Sequence, residues 1–151
     1  DHFHCEFYEN EKPWSIKGDI VIPCATQNEV DLNDAETIVS NGTKYYFEGA
    51  NMPASHEAHV CMQSHGVVVG PAKAANAGGV AVSALEMSQN SERLAWTAEE
   101  VDARLKSIMR NIVDVSYDAA KRYGDGEDLV AGANIAGFEK VADAMMAQGL
   151  F

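Results

Sequence analysis

Three short apolar runs, each separated from the next by a helical stretch, constrain this chain more than any other feature. They are Asp19-Ile20-Val21-Ile22-Pro23, Lys44-Tyr45-Tyr46-Phe47-Glu48 and Gly66-Val67-Val68-Val69-Gly70. The first and third are nearly continuous in β-branched residues, the pattern of parallel strands covered on both faces. In the first connection Asn33 can cap a short helix, Glu36 completes a capping box and Gly42 ends it. The second connection reads as a helix from about Ala54 to Ser64, closed by Gly66. Strand, helix, strand, helix, strand is a βαβαβ unit, which takes right-handed crossovers and makes a parallel sheet.

Beyond about Ala72 the pattern is helical throughout. One helix runs from about Ala77 to Arg93. A second opens on the capping box Thr97/Glu100 and stops at Gly124. Its apolar positions Val101, Leu105, Ile108, Ile112 and Val115 make one stripe. A last helix covers about Ile135 to Ala147. A doubly wound sheet normally joins two βαβαβ halves, and only one is here. None of the 12 glycines forms a G-x-G-x-x-G, and no P-loop pattern occurs. The fold class is α/β: a partial Rossmann-like domain of about three mostly parallel strands with flanking helices, then long C-terminal helices.

Composition narrows the function classes. With 46% hydrophobic and 23% charged residues among 151, the chain can bury a core and is one domain or a piece of one. Its 23 acids against 11 Lys plus Arg give a net charge of -12, unfavourable for nucleic acid or an anionic membrane surface. No run approaches the roughly 20 apolar residues of a membrane span. Asp1 to Asn10 is polar and acidic, unlike a signal or transit peptide. Cys5, Cys24 and Cys61 are odd in number and far apart, which suits a reducing compartment. The expected location is therefore cytoplasmic.

Ligands of open α/β sheets bind beyond the carboxyl ends of the strands. Three loops should meet there: Pro23-Cys24-Ala25-Thr26-Gln27-Asn28-Glu29, Glu48-Gly49-Ala50-Asn51-Met52-Pro53, and the segment from Gly70 to Gly79. The third is mostly Gly and Ala, with Asn76 among them and Gly78-Gly79 in the first turn of the next helix. Such glycines serve either close helix–sheet packing or approach of a ligand to free N–H groups. Ser83 follows a turn and a half further on. Asn51 can face a ligand or cap the helix after Met52-Pro53, and Thr26 with Glu29 has capping-box spacing.

Other reactive side chains read as structural. His56-Glu57-Ala58-His59 has its histidines at i and i+3, whereas the zinc-protease helix needs i and i+4. A solvated polar face is expected, and no metal site. His2, His4 and Cys5 could collect adventitious metal at a frayed terminus. Cys24 reads as a small packing residue, and Trp14 and Trp96 as packing anchors.

Taken in order, the three loops resemble hexameric glutamate dehydrogenase of the shorter-subunit class. The matching motifs are Pro23 to Glu29, Glu48 to Pro53 and Lys73 to Ser83. They continue in Leu85-Glu86-Met87-Ser88-Gln89-Asn90, Val101-Asp102-Ala103-Arg104-Leu105 and Gly132-Ala133-Asn134-Ile135-Ala136-Gly137-Phe138. The resemblance runs from about Lys12 to Phe151. It implies that residues 1–72 are the second βαβαβ half of a dinucleotide-binding domain. Residues 73–151 would be C-terminal helices that include a hinge or return helix packing on the substrate domain. The family reaction is reversible oxidative deamination of glutamate to 2-oxoglutarate and ammonia with NAD or NADP, in a homo-hexamer.

By the same resemblance, Ser83 corresponds to the serine that binds the distal carboxylate of glutamate, and Val80 to the apolar residue beside the substrate side chain. Asn51 and Asn76 correspond to asparagines near the nicotinamide and its ribose. Ala25 and Thr26 correspond to the loop lining the nicotinamide side. The family's catalytic Lys and Asp, its substrate domain and its glycine-rich fingerprint lie upstream of this segment, so no catalytic residue is expected in this chain. Val82 and Ala84 replace a Thr and a Gly usual beside the serine, and Ala54-Ser55-His56 also departs from the family pattern.

The expected function is thus the C-terminal segment of a glutamate dehydrogenase, inert alone because it lacks the pyrophosphate cradle and proton-transfer groups. A stand-alone non-catalytic nucleotide-binding or regulatory domain is the alternative. A related amino-acid dehydrogenase is a third, against which Ser83 speaks, since a distal carboxylate needs a polar partner. The strand at Asp19 to Pro23 should lack a neighbour, leaving an open edge, and the isolated chain is expected to dimerise or aggregate through that edge or through its uncovered sheet face.

Overall fold

A computed structural model describes residues 7–124 and 126–149. After a 3-10 turn at Pro13–Ser15, the elements run β1 (Ile20–Val21), α1 (Leu32–Ser40), β2 (Tyr45–Phe47), α2 (His56–Ser64) and β3 (Val68–Gly70). Then come α3 (Ala72–Ala75), α4 (Ala77–Glu92), α5 (Ala98–Tyr123) and α6 (Leu129–Gln148). The three strands form one parallel sheet in the order β1-β2-β3. The expected βαβαβ unit is present, with shorter strands than the apolar runs suggested. His2, His4 and Cys5 lie outside the described residues.

The pleat sorts the side chains. Tyr46 pairs with Val69 and both point to the face covered by α1 and α2. Around them close Val30, Ala35, Ile38, Ala58, Met62 and Val67, all buried. Burying a side chain the size of Ile38 or Met62 stabilises the fold by about 1.5–3 kcal/mol. Trp14 packs against this cluster, as its anchor reading required. Burial, and then the negative charge of Glu48, push the Tyr46 phenol well above its usual range.

Among the described residues, the opposite face is covered only near β3. Phe47 lies against α3 and α5, over a small apolar cavity lined by Gly70, Pro71, Met109 and Leu129. Gly70 pairs with Phe47, and a Cβ there would come 2.2 Å from its ring. Towards β1 the face is open: Ile20, Ile22 and Tyr45 are each about half exposed. The expectation of a strand covered on both faces therefore fails for β1. The α5 and α6 helices, which could shield that face, pack at the β3 side instead.

Local signals explain most helix boundaries. The capping box of α1 is Asp31 with Asp34, two residues ahead of the expected Asn33 with Glu36. Gly42 and Gly66 end their helices at φ 79° and 80°, where a side chain is disfavoured. Thr97 and Glu100 form the expected box at α5, and Gly124 caps its end. The α5 stripe differs in its last member: Ser116, Ala119 and Ala120 are buried and Val115 is exposed. Gly132 of α6 is the cause. A Cβ on it would sit 2.1 Å from the Ser116 carbonyl oxygen, so the helices cross where only small residues fit. Helix α6 also starts six positions before the expected Ile135, because the Asp128 carboxylate accepts the N–H groups of Val130 and Ala131.

Candidate functional site

The parallel sheet delivers the ends of all three strands to one edge, and the three loops there are hydrogen-bonded to one another. The first two are joined by Ala50 N–H to the Pro23 carbonyl (2.8 Å), Asn28 N–H to Met52 (3.0 Å) and Val30 N–H to Pro53 (2.9 Å). Gly49 permits this contact, since a Cβ there would meet the Cys24 sulfur at 2.6 Å. Cys24 is exposed yet packs on that glycine, so its packing reading holds at the surface only. The third loop is tied to the second by the Asn76 side chain, whose Nδ2 donates to the Ala50 carbonyl at 3.0 Å.

Ala25 and Thr26 are exposed on the first loop. Their N–H groups both donate to Glu29 Oε1, at 3.0 and 3.2 Å. The Thr26/Glu29 spacing therefore closes a loop and starts no helix. Asn51 is exposed and does not cap α2, since the Ser55 hydroxyl accepts from Ala58 N–H in that role. The turn after Asn51 places Met52 at φ 51°, a left-handed conformation unusual for its side chain.

The two glycines at the start of α4 divide the two roles open to them. A Cβ on Gly78 would press on Leu105 and Met109 of α5 at 3.3 Å, so this glycine serves packing. Gly79 has nothing within 4 Å of such a Cβ and faces open space. Its N–H donates to the Asn76 carbonyl at 3.2 Å, so this amide is taken within the turn. Val80 is 72% exposed, and Ser83, one turn on, is exposed with its hydroxyl donating to Gly79 at 3.3 Å. The same helix thus presents one apolar and one hydroxyl group to solvent.

The residue that reasoning from sequence missed is Glu48. It ends β2 and is only 2% exposed. Its Oε1 accepts Ala54 N–H at 3.2 Å and lies 2.8 Å from His59 Nε2. Its Oε2 accepts Ala72 N–H at 2.7 Å. His59 is therefore turned inward from α2, against the solvated-face reading, and also meets the Tyr46 ring edge-on. The signal was present only as Glu48 directly after a core strand, since the three donors come from separate segments. Among the described residues no three His, Cys, Asp or Glu are grouped as metal ligands. No helix among them is long and apolar enough to cross a membrane.

A cleft of about 300 Å³ lies elsewhere, along β3 and the start of α6 between Gln63, Val68 and Asp128. It contains none of the strand-end residues. A second crevice, about 210 Å³, separates α4 from α5 beside Trp96, whose ring carries the Arg104 guanidinium at 4.3 Å.

The sequence matches the family model for glutamate/leucine/phenylalanine/valine dehydrogenase over residues 1–149. It is 61% identical to the NAD-specific glutamate dehydrogenase of Clostridium symbiosum, over 99% of this chain and 34% of that protein. Identity to the NADP-specific glutamate dehydrogenase of Escherichia coli K12 is 53%, over 98% of this chain and 33% of that protein. The fold superimposes on a crystal structure of Plasmodium falciparum glutamate dehydrogenase with a TM-score of 0.92 at 49% identity, covering 97% of this chain and 32% of that one. The chain spans about a third of the length of these relatives.

Proposed function

Because the chain belongs to the glutamate/leucine/phenylalanine/valine dehydrogenase family, we propose that it is the C-terminal part of a glutamate dehydrogenase, completing its dinucleotide site and contributing to its glutamate site. Residues 1–72 are the second half of the dinucleotide-binding domain, and residues 73–151 are the helices that return towards the substrate domain. The whole enzyme interconverts glutamate with 2-oxoglutarate and ammonia, NAD or NADP accepting the hydride, and assembles as a homo-hexamer in the cytoplasm.

One observation carries this reading: the three strand-end loops are cross-linked into a single surface on the carboxyl edge of the sheet, and the Asn76 side chain spans two of them. That edge is where α/β folds hold nucleotides. Ala25 and Thr26 line one side of it, with Asn51 and Asn76 at its centre. Ser83 and Val80 extend it along α4. A carboxylate close to Ser83 would accept its hydroxyl proton, which now lies on a long 3.3 Å bond within the helix. Val80 offers an apolar flank for the methylene groups of the substrate. The nicotinamide supplies the hydride chemistry when bound, and this chain's groups orient it. The chain is inert alone, because dinucleotide and proton-transfer groups must come from elsewhere in the enzyme.

The test is calorimetric titration of the chain with NADH and NADPH, with and without 2-oxoglutarate, beside the full-length enzyme carrying Asn76→Ala. No binding by the chain, with weakened binding by the variant enzyme, is the expected result. Micromolar binding by the chain would favour a stand-alone nucleotide-binding domain. Undiminished affinity in the Asn76→Ala enzyme would remove that residue from the site.

A further inference from the structure

We infer that Glu48 is the positioning residue of this site, fixing the second and third strand-end loops relative to one another so that Asn51 and Asn76 meet the dinucleotide in one geometry. The inference rests on the proposed dinucleotide site. Its own ground is the arrangement around a carboxylate that is 2% exposed and touches neither loop's outer surface.

Glu48 sits where β2 stops. Its main chain stays in the sheet, with its N–H donating to the Gly70 carbonyl at 3.0 Å. Its side chain divides its two oxygens between the loops. Oε1 takes Ala54 N–H, just past Asn51-Met52-Pro53, and Oε2 takes Ala72 N–H, four residues before Asn76. His59 Nε2 fills the remaining place on Oε1 at 2.8 Å. A carboxylate only accepts, so all three N–H groups can donate to it without conflict. Charge-assisted bonds of this kind are roughly twice as strong as neutral ones. Three such bonds on one carboxylate hold the loop bases more firmly than the single neutral Asn76 to Ala50 bond.

A packing role alone would not need a charge. Gln at this position keeps the shape but replaces one acceptor oxygen with a donor, which must then face Ala54 and His59 or Ala72. The loops would move apart while the core around Tyr46 stayed intact.

The experiment is steady-state kinetics of the full-length enzyme with Glu48→Gln, against the wild type and Asn76→Ala. Folding is checked by circular dichroism and thermal melting. Positioning predicts that KM for the dinucleotide rises about tenfold to a hundredfold, the scale of one or two charge-assisted hydrogen bonds, while kcat changes much less. A merely structural role would reduce the active fraction, lowering apparent kcat at unchanged KM, and that result overturns the inference. If Glu48→Gln does not fold, Ala72→Pro decides. It removes the Ala72 donor and sets the proline ring against Oε2, at the first position of α3, where the helix itself tolerates proline. A raised dinucleotide KM supports positioning, and an unchanged KM overturns it. If Asn51→Ala and Asn76→Ala both leave KM unchanged, the dinucleotide site itself fails. If they raise KM and Glu48→Gln does not, only the positioning role fails.

Discussion

The sheet half holds an eight-residue buried cluster between Val30 and Val69, whereas α4 buries none of its residues and α6 buries only Gly132. Both halves are rich in apolar side chains. In the first they meet one another. In the second Val80, Met87, Phe138 and Met146 are each at least 70% exposed. The difference teaches where rigidity resides. The loops carrying Asn51 and Asn76 are rooted in the closed half, with Glu48 beneath them, while Ser83 and Val80 ride on the open one. The candidate site therefore straddles a firm base and a helix whose outward face is uncovered.

The sharpest way to break this comparison is to truncate one side chain in each half. Ile38→Ala should cost about 2–5 kcal/mol in denaturant unfolding, since it leaves a cavity in a closed core. Met87→Ala on α4 should stay within about 0.5 kcal/mol. Equal losses would mean that α4 packs as tightly as the sheet half.

Association comes next in size. Ile20 and Ile22 are exposed at 57% and 54% on the β1 side, an edge with unpaired backbone groups. Analytical ultracentrifugation of the isolated chain should show concentration-dependent self-association that Ile20→Lys with Ile22→Lys suppresses. If the double variant associates as before, the uncovered helices are the sticky surface instead.

The smallest expected effect is acid sensitivity confined to the first half. Asp31 is held below the usual carboxylate range by the Asp34 N–H, Asp19 by the Lys44 ammonium, and Glu57 by its own backbone N–H and Ser55. A depressed folded value stabilises the protein above the unfolded value, near 4. That contribution is lost as pH falls through the folded value. Melting temperature should therefore drop below about pH 4, and less steeply in Asp31→Asn, which still caps α1 but cannot titrate. An unchanged slope would show that the acid response originates elsewhere.

The comparison also explains what could be read from the sequence. The βαβαβ alternation, the parallel pairing and the Thr97 box were legible because each rests on short contiguous patterns. The α1 cap was misplaced by two residues because Asp31/Asp34 and Asn33/Glu36 share one spacing. The start of α6 was missed because its cap, Asp128, is recognised only by the bonds it accepts from Val130 and Ala131. Gly78 and Gly79 are chemically identical neighbours, and only the position of α5 tells packing from openness. His59 and Glu48 lie 11 residues apart with no periodicity to join them. What the sequence hid was side-chain geometry between segments, and that is where the base of the site is built.

The order β1-β2-β3 follows the order of the chain. Each pairing within this sheet thus closes across a single helical connection. Loop-closure entropy grows only slowly with length, about 0.6 kcal/mol per doubling. The sheet can accordingly grow by stepwise addition around Tyr46, with register set as each β-α unit docks. Folding speed should then be governed by closure of these two crossovers, and the long helices α5 and α6 should condense onto a sheet already in place.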